Sequence, residues 1–276
     1  MADQSKSDSP KTMNLTHTQD TFKIAQISDL HLSNPKSFDD FLQVLDLALS
    51  HSPNLLILTG DLVNDGKKHG YDWLFDTLDK TRIPYLCMAG NHDVAHEIGH
   101  HLPFHERTFL PIDPDLRLPN HQRLIIQMPS TTWQILTLNS AISGQIHGKI
   151  SADSLQFLRH HLSNDLLKNL PTIIALHHHP RSVGSAWIDE HMLINYNEFW
   201  QTLAGFDNIK AILCGHVHQA HTIHFQGKTL LTCPATSRQF APHQDDFAID
   251  HVSSGFRLIQ ICNKKTLATW VKRTQN

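Results

Sequence analysis

The chain has 276 residues, enough for one large domain or two small ones, and its 40% hydrophobic and 18% charged residues suit a globular protein with a substantial core. Lys plus Arg number 23 against 26 for Asp plus Glu, a net charge of −3, which excludes the basic footprint needed to grip a nucleic-acid polymer or an anionic membrane. No stretch approaches the roughly 20 apolar residues of a membrane helix, and the one compositional outlier is 23 histidines.

Residues 1–20 are polar and contain no apolar signal core, which predicts a disordered N-terminal tail, a single domain over 21–276 and a cytoplasmic protein. Strands follow at FKIAQIS and NLLILTG. Between them SFDDFLQVLDLALSH predicts a helix, capped at Ser37 with Asp40 three residues on and with Phe38, Phe41, Leu42, Leu45 and Leu49 at helical spacing. GYDWLFDTLDK predicts a second helix and IPYLCMAG a third strand. The segment 94–122 is poorly patterned, and a substrate wall there is open to variation. RLIIQMP and TWQILTLNS predict a hairpin, SADSLQFLRHHLSND a helix, PTIIAL a strand, INYNEFWQTLAG a helix and IKAILCG a strand. The chain ends in hairpins turning at Gln226-Gly227 and Asn263-Lys264. Cys87, Cys214 and Cys262 lie in apolar runs and read as buried free thiols in a reducing compartment, and no two of the four cysteines are spaced C-x-x-C.

Five apolar runs finish alike. They are followed by SDLHL, TGDLV, AGNHD, LHHHP and CGHVH, each placing Asp, Asn or His just after the last buried residue. In a parallel sheet the carboxyl ends converge on one crevice, so Asp29, His31, Asp61, Asn91, His92, His177, His216 and His218 are predicted to meet there. Gly60, Gly90 and Gly215 let three of these turns leave the strand sharply. Asp29 with His31, and His216 with His218, are two apart, so each pair is expected to face one centre. The donor set is carboxylate, amide and imidazole with no thiolate. It suits two divalent transition metals, iron or manganese first and zinc or cobalt also, about 4 Å apart with Asp61 as the shared ligand.

The ordered set D-x-H, G-D, G-N-H-D, H and G-H-x-H, spread over residues 24–218, resembles the calcineurin-like metallophosphoesterase superfamily. That resemblance implies a mixed α/β fold, a four-layer αββα sandwich of two mixed sheets flanked by helices. It implies that Asp29, His31 and His218 hold one metal, that Asn91, His177 and His216 hold the other, and that Asp61 bridges. In LHHHP an ungapped match selects His177, whereas counting back from the proline selects His178. HHHPRSVGSAWIDEH, CGHVHQAHTIHFQGKTLLTCPATSRQF and SGFRLIQI are similar to the bacterial class III 3′,5′-cyclic AMP phosphodiesterases. The implied reaction is attack of a metal-bridging hydroxide on the phosphorus of 3′,5′-cyclic AMP to give 5′-AMP. The alternative is another small phosphodiester, a glycerophosphodiester or a 2′,3′-cyclic nucleotide. His92 is the candidate to protonate the leaving oxygen, with Asp93 a candidate to orient its ring. His31, Asn91, His92 and His218 are the candidate substrate contacts. Trp187, His191, Asn195 and Arg238 are candidates to wall the nucleotide. For assembly, the C-terminal hairpins cover a sheet edge or join two copies, a homodimer being the commonest case.

Overall fold

Strands that are apolar on both faces must be covered on both faces, and that requirement sets the layers. In the computed structural model, which describes residues 12–64, 67–98, 106, 108–111, 117–164 and 169–275, the chain begins β1 (Thr12–Thr16), β2 (Thr21–Ile27), α1 (Pro35–Ser50), β3 (Leu55–Leu58), α2 (Lys68–Thr81) and β4 (Tyr85–Cys87). It continues β5 (Ala95–Ile98), β6 (Thr108–Pro111), β7 (His121–Gln127), β8 (Thr132–Leu138), α3 (Ala152–Ser163), β9 (Thr172–Ala175), α4 (Ala186–Asp189), α5 (Tyr196–Leu203) and β10 (Ile209–Cys214). It ends β11 (Thr222–Phe225), β12 (Lys228–Thr232), β13 (Gln239–Phe240), β14 (Ile249–Asp250), β15 (Gly255–Cys262) and β16 (Leu267–Arg273).

One sheet has the order β16-β15-β2-β3-β4 and the other β1-β7-β8-β9-β10-β12-β11; β5-β6 and β13-β14 are small separate ribbons. Both large sheets are mixed. β2, β3 and β4 are parallel, with β15 antiparallel to β2 and β16 antiparallel to β15, while β8, β9, β10 and β12 are parallel, with β7 antiparallel to β8 and β11 antiparallel to β12. The two-residue alternation of strands separates three buried clusters. Ile24, Leu55 and Ile57 of the first sheet meet Ile126, Ile135, Ile173 and Leu213 of the second. Ala25, Leu56 and Leu58 face α1 and α2 through Phe41, Leu45 and Leu74. Ile174, Ile212 and Cys214 face α3 and α5 through Leu158 and Phe199. The result is the expected four layers, helix, sheet, sheet, helix.

Three expectations are corrected. The tail of residues 1–20 is not disordered throughout: Thr12–Thr16 forms β1, paired in parallel with β7 from Thr12↔Arg123 to Thr16↔Gln127. Met13 and Leu15 turn toward the core between the sheets, and residues 1–11 lie outside the described set. The cap of α1 is Asn34 rather than Ser37. Its side chain accepts from Ser37 N, Ser37 Oγ accepts from Asn34 N (3.2 Å), and Pro35 occupies the first turn, where its missing N–H is no loss. The last turn is one residue longer than Asn263-Lys264. Lys265 adopts φ 60° and Cys262 N donates to the Thr266 carbonyl, the three-residue hairpin geometry. This leaves Cys262 half-buried, unlike the buried Cys87, Cys214 and Cys233, and all four thiols are free. The other predicted hairpin turns at Gln226-Gly227, both at positive φ, with Phe225 opposite Lys228. Among the described residues no helix is long and apolar enough to cross a membrane.

If β1 is an integral strand, deleting residues 1–17 uncovers one edge of β7 and part of Met13 and Leu15. Urea unfolding is expected to show a loss of about 2 kcal/mol, and the Leu15 amide is expected to be protected from hydrogen exchange in the full chain. Unchanged stability together with free exchange at Leu15 would make β1 an ornament rather than a structural strand.

Candidate metal centre

The five predicted clusters do meet. β2, β3, β4, β9 and β10 all end at one side of the two sheets, and the loops beyond them keep pairing. Asp29 N donates to the Gly60 carbonyl (3.1 Å), His31 N to the Asp61 carbonyl (2.9 Å) and Gly215 N to the His177 carbonyl (3.1 Å). The two sheets are locked together at this point. His216 N donates to both carboxylate oxygens of Asp29 (3.0 and 3.2 Å), Gln26 Nε2 donates to the Cys214 carbonyl (3.0 Å), and His177 Nδ1 donates to the Thr59 carbonyl (2.7 Å). Such approach is open only to glycine at the turns. A Cβ on Gly90 would overlap Asp61 Oδ1, and one on Gly215 would overlap Ser28 Oγ.

The backbone of the ligand turns is left-handed at non-glycine residues: Asp29 (φ 54°), His31 (48°), Asp61 (49°), His216 (69°) and His218 (49°). The extended geometry assumed for the two i, i+2 pairs is therefore absent: Asp29 and His31 still face one group, as expected, but His216 and His218 do not. Asp29, His31, Asp61 and His218 form one group whose ligand atoms lie within 4.8 Å of one another, and His177, His178 and His216 form another. The G-H-x-H pair is therefore divided, His216 pointing to one group and His218 to the other.

Two nearest pairs are imidazole to imidazole: His31 Nε2 to His218 Nε2 at 3.1 Å, and His177 Nε2 to His216 Nδ1 at 3.2 Å. Asn91 Oδ1 joins the second pair at 3.3 Å from His177 Nε2. Between the groups lies Asp61, whose Oδ2 is 3.7 Å from His31 Nε2 and 3.4 Å from His177 Nε2, while its Oδ1 accepts from His92 N (2.9 Å). In LHHHP the two readings separate. His178 has both ring nitrogens engaged, Nδ1 with Ser140 Oγ (2.8 Å) and Nε2 with the Ile146 carbonyl (2.9 Å), whereas His177 turns Nε2 into the cluster. His179 is buried and bonds Asp189 (3.2 Å) rather than facing solvent.

Outer contacts fix the ring orientations. His31 Nδ1 is 3.0 Å from Asn64 Oδ1, and His218 Nδ1 is 2.8 Å from the Arg238 carbonyl. Asn64, Thr59 and Ser140 were not singled out in the sequence; the only trace of Asn64 is its place in the turn after Asp61. Asp93 does not orient His92. Its buried carboxylate accepts from Leu62 N, Val63 N, Gly90 N (2.8 Å) and Tyr71 Oη (2.6 Å), which ties the Asp61 loop to the Asn91 loop. The half-buried ring of His92 instead lies edge-on to His31 (4.7 Å between centroids), with Nδ1 3.3 Å from the Asn64 carbonyl.

Of the candidate wall residues, Asn195 is taken up by the Ile150 backbone (3.0 and 2.9 Å). Arg238 is exposed and serves through its carbonyl, His191 is partly buried, and Trp187 contacts Phe240 and Phe247. Most of the proposed wall between 94 and 122 lies outside the described residues.

The electrostatics match a cation centre. Burial opposes ionisation of Asp61, but His177, His92 and His31 outweigh it and hold its carboxyl well below the usual carboxylate range. Burial would push His177 down, yet Asp61, Asp29 and the Thr59 carbonyl raise it to about 9, so a proton sits where a divalent ion would displace it. His31 is pushed down to about 3, chiefly by burial and by His92, and burial with His178 drives His216 down as well. Neutral imidazoles, two carboxylates and one amide oxygen, without thiolate, fit divalent ions such as Mn, Fe, Zn or Co.

A family model described as calcineurin-like phosphoesterase matches residues 22–220. A protein of Moraxella catarrhalis named "Probable cyclic nucleotide phosphodiesterase" is 47% identical over 270 residues, 95% of this chain and 96% of its own length. The Escherichia coli K12 protein named "3′,5′-cyclic adenosine monophosphate phosphodiesterase CpdA" is 31% identical over 261 residues, 91% of this chain and 89% of its own. A dimetal phosphatase structure from Danio rerio aligns with a TM-score of 0.57 at 13% identity, over 92% of this chain and 99% of the other, a likeness of fold alone. With the family motif spanning most of the chain and its donor residues gathered at one end of the sheets, this protein belongs to the calcineurin-like phosphoesterase family.

Proposed function

We propose that the protein is a two-metal phosphodiesterase that hydrolyses 3′,5′-cyclic AMP to 5′-AMP. In this reading Asp29, His31 and His218 hold one divalent ion, Asn91, His177 and His216 hold the other, and Asp61 joins them. The observation that carries it is the position of Asp61 Oδ2, 3.7 Å from His31 Nε2 and 3.4 Å from His177 Nε2, so that one oxygen lies within reach of a histidine from each cluster. Iron and manganese suit the donor set best. The substrate class is supported by the printed names of relatives that align over nearly the whole chain.

A metal pair supplies a water of lowered pKa and neutralises charge on the phosphoryl oxygens. The protein supplies the rest. With Oδ1 turned to His177, Asn91 keeps its amide N–H for a phosphoryl oxygen. His31 and His218 line the same opening. The Asn64 carbonyl fixes the His92 ring through Nδ1, and His92 delivers a proton from Nε2 to the departing O3′ as the new P–O bond forms and P–O3′ breaks. Water and one diester bond give 5′-AMP, with the 3′ oxygen leaving as a hydroxyl.

The reading is tested by the Mn-loaded enzyme on 3′,5′-cyclic AMP, 2′,3′-cyclic AMP and glycerophosphocholine. The first should lead in kcat/KM by about tenfold or more; glycerophosphocholine in the lead would hand the site to the other diester class. Asp61→Asn is expected to lose most of its bound metal by elemental analysis and to cut kcat by about a thousandfold or more, since both clusters share that residue. His92→Ala is expected to keep its metal while kcat falls about 100- to 10,000-fold. Loss of metal from His92→Ala would make His92 a ligand instead.

A further inference from the structure

We infer that an aromatic shelf continuous with the metal centre, made by Phe240, Trp187 and Phe247, takes the purine base of the nucleotide. The inference rests on the phosphodiesterase reading for the position of the phosphate. Its observations concern the aromatic rings that adjoin His218, not the donor atoms of the candidate metal ligands.

The rings form one unbroken row. His92 lies edge-on to His31 (4.7 Å), His31 is tilted to His218 (5.1 Å), and His218 stacks on Phe240 at 4.0 Å with 8° between planes. From Phe240 the row divides to Trp187 (5.0 Å) and Phe247 (5.3 Å), which also touch each other (5.1 Å). The inner part is fixed. Phe240 N donates to the His218 carbonyl (3.3 Å), so the first ring of the shelf is held by the backbone of a candidate metal ligand. Phe240 pairs with Ile249 across the β13–β14 ribbon, and Ala241 N donates to the Ala248 carbonyl (2.8 Å), closing the loop that carries Phe247. His243 N donates to Ser185 Oγ (2.9 Å), fastening this loop to the segment that leads into Trp187.

The outer end is open. Phe247 is 54% exposed, and Ile249 and Val252 beside it in sequence are each 44% exposed. Phe247, in T-shaped contact with both Trp187 and Phe240 and more than half exposed, presents a buttressed apolar ring surface to solvent. It stands two ring contacts from His218. A phosphate at the metal centre therefore leaves the nucleoside lying along the row, with its base against Phe247. Stacking reads the π-face of a base rather than its hydrogen-bonding edge, so the shelf recognises a base without a buried polar pocket.

The test compares product inhibition with and without a base. The Mn-loaded enzyme hydrolyses bis(p-nitrophenyl) phosphate while AMP or ribose 5-phosphate competes, and calorimetry measures AMP binding directly. In Phe247→Ala the inhibition constant of AMP should rise about ten- to hundredfold, the value of one lost base stack, while that of ribose 5-phosphate moves less than about threefold. Phe247→Tyr, which keeps the ring, should retain the AMP constant. An unchanged AMP constant in Phe247→Ala, or equal shifts for both inhibitors, overturns the shelf. If the wild type does not hydrolyse 3′,5′-cyclic AMP but still prefers AMP over ribose 5-phosphate through Phe247, the substrate reading fails and the shelf stands.

Discussion

The contact on which the rest depends is the one between Asp61 and its surroundings at the meeting of the two sheets. Its Oδ1 accepts from His92 N, its Oδ2 lies between the imidazoles of His31 and His177, and the absence of a side chain on Gly90 leaves room for the carboxylate. These neighbours come from three strand ends, those of β2, β4 and β9. If the carboxylate moved by the width of an atom, it would no longer lie between the two histidine groups.

Holding that geometry carries a cost. Five non-glycine residues of the site sit at positive φ, where an L residue is disfavoured by about 1–2 kcal/mol. Such strain persists only where surrounding bonds over-determine the backbone. Here they do. Asp29 accepts His216 N twice, and Asp93 gathers amides from two loops and the Tyr71 hydroxyl. The charge balance follows the same logic. Carboxylates pulled below their usual range and imidazoles driven neutral by burial make a pocket that is incomplete without positive charge, and the raised pKa of His177 is the proton standing in for it.

The strand ends were legible because an apolar run followed at once by Asp, Asn or His has no packing rationale, and five such runs in order narrow the choice sharply. The layers were legible for the same reason, since LLIL and TIIA are apolar on both faces. What failed was local geometry. The i, i+2 rule assumes extended backbone, and the left-handed turns at His216 and His218 send their rings to different groups. Choosing His177 over His178 needed Ser140 and Ile146, which lie more than thirty residues away in sequence. β1 was missed because Met13 and Leu15 offer only one short alternation, and its partner β7 lies over a hundred residues away. Phe240 only closed a stretch that carries the family likeness, and Phe247 was an ordinary apolar letter in a polar stretch, until the ribbon set Phe240 beside His218 and Phe247 beside Phe240.

The most direct measurement is anomalous diffraction at the manganese edge from crystals of the Mn-loaded protein. The account predicts two peaks about 4 Å apart on either side of Asp61 Oδ2, one beside His31 and His218 and the other beside His177 and His216. A single peak, or two that do not share Asp61, would contradict it.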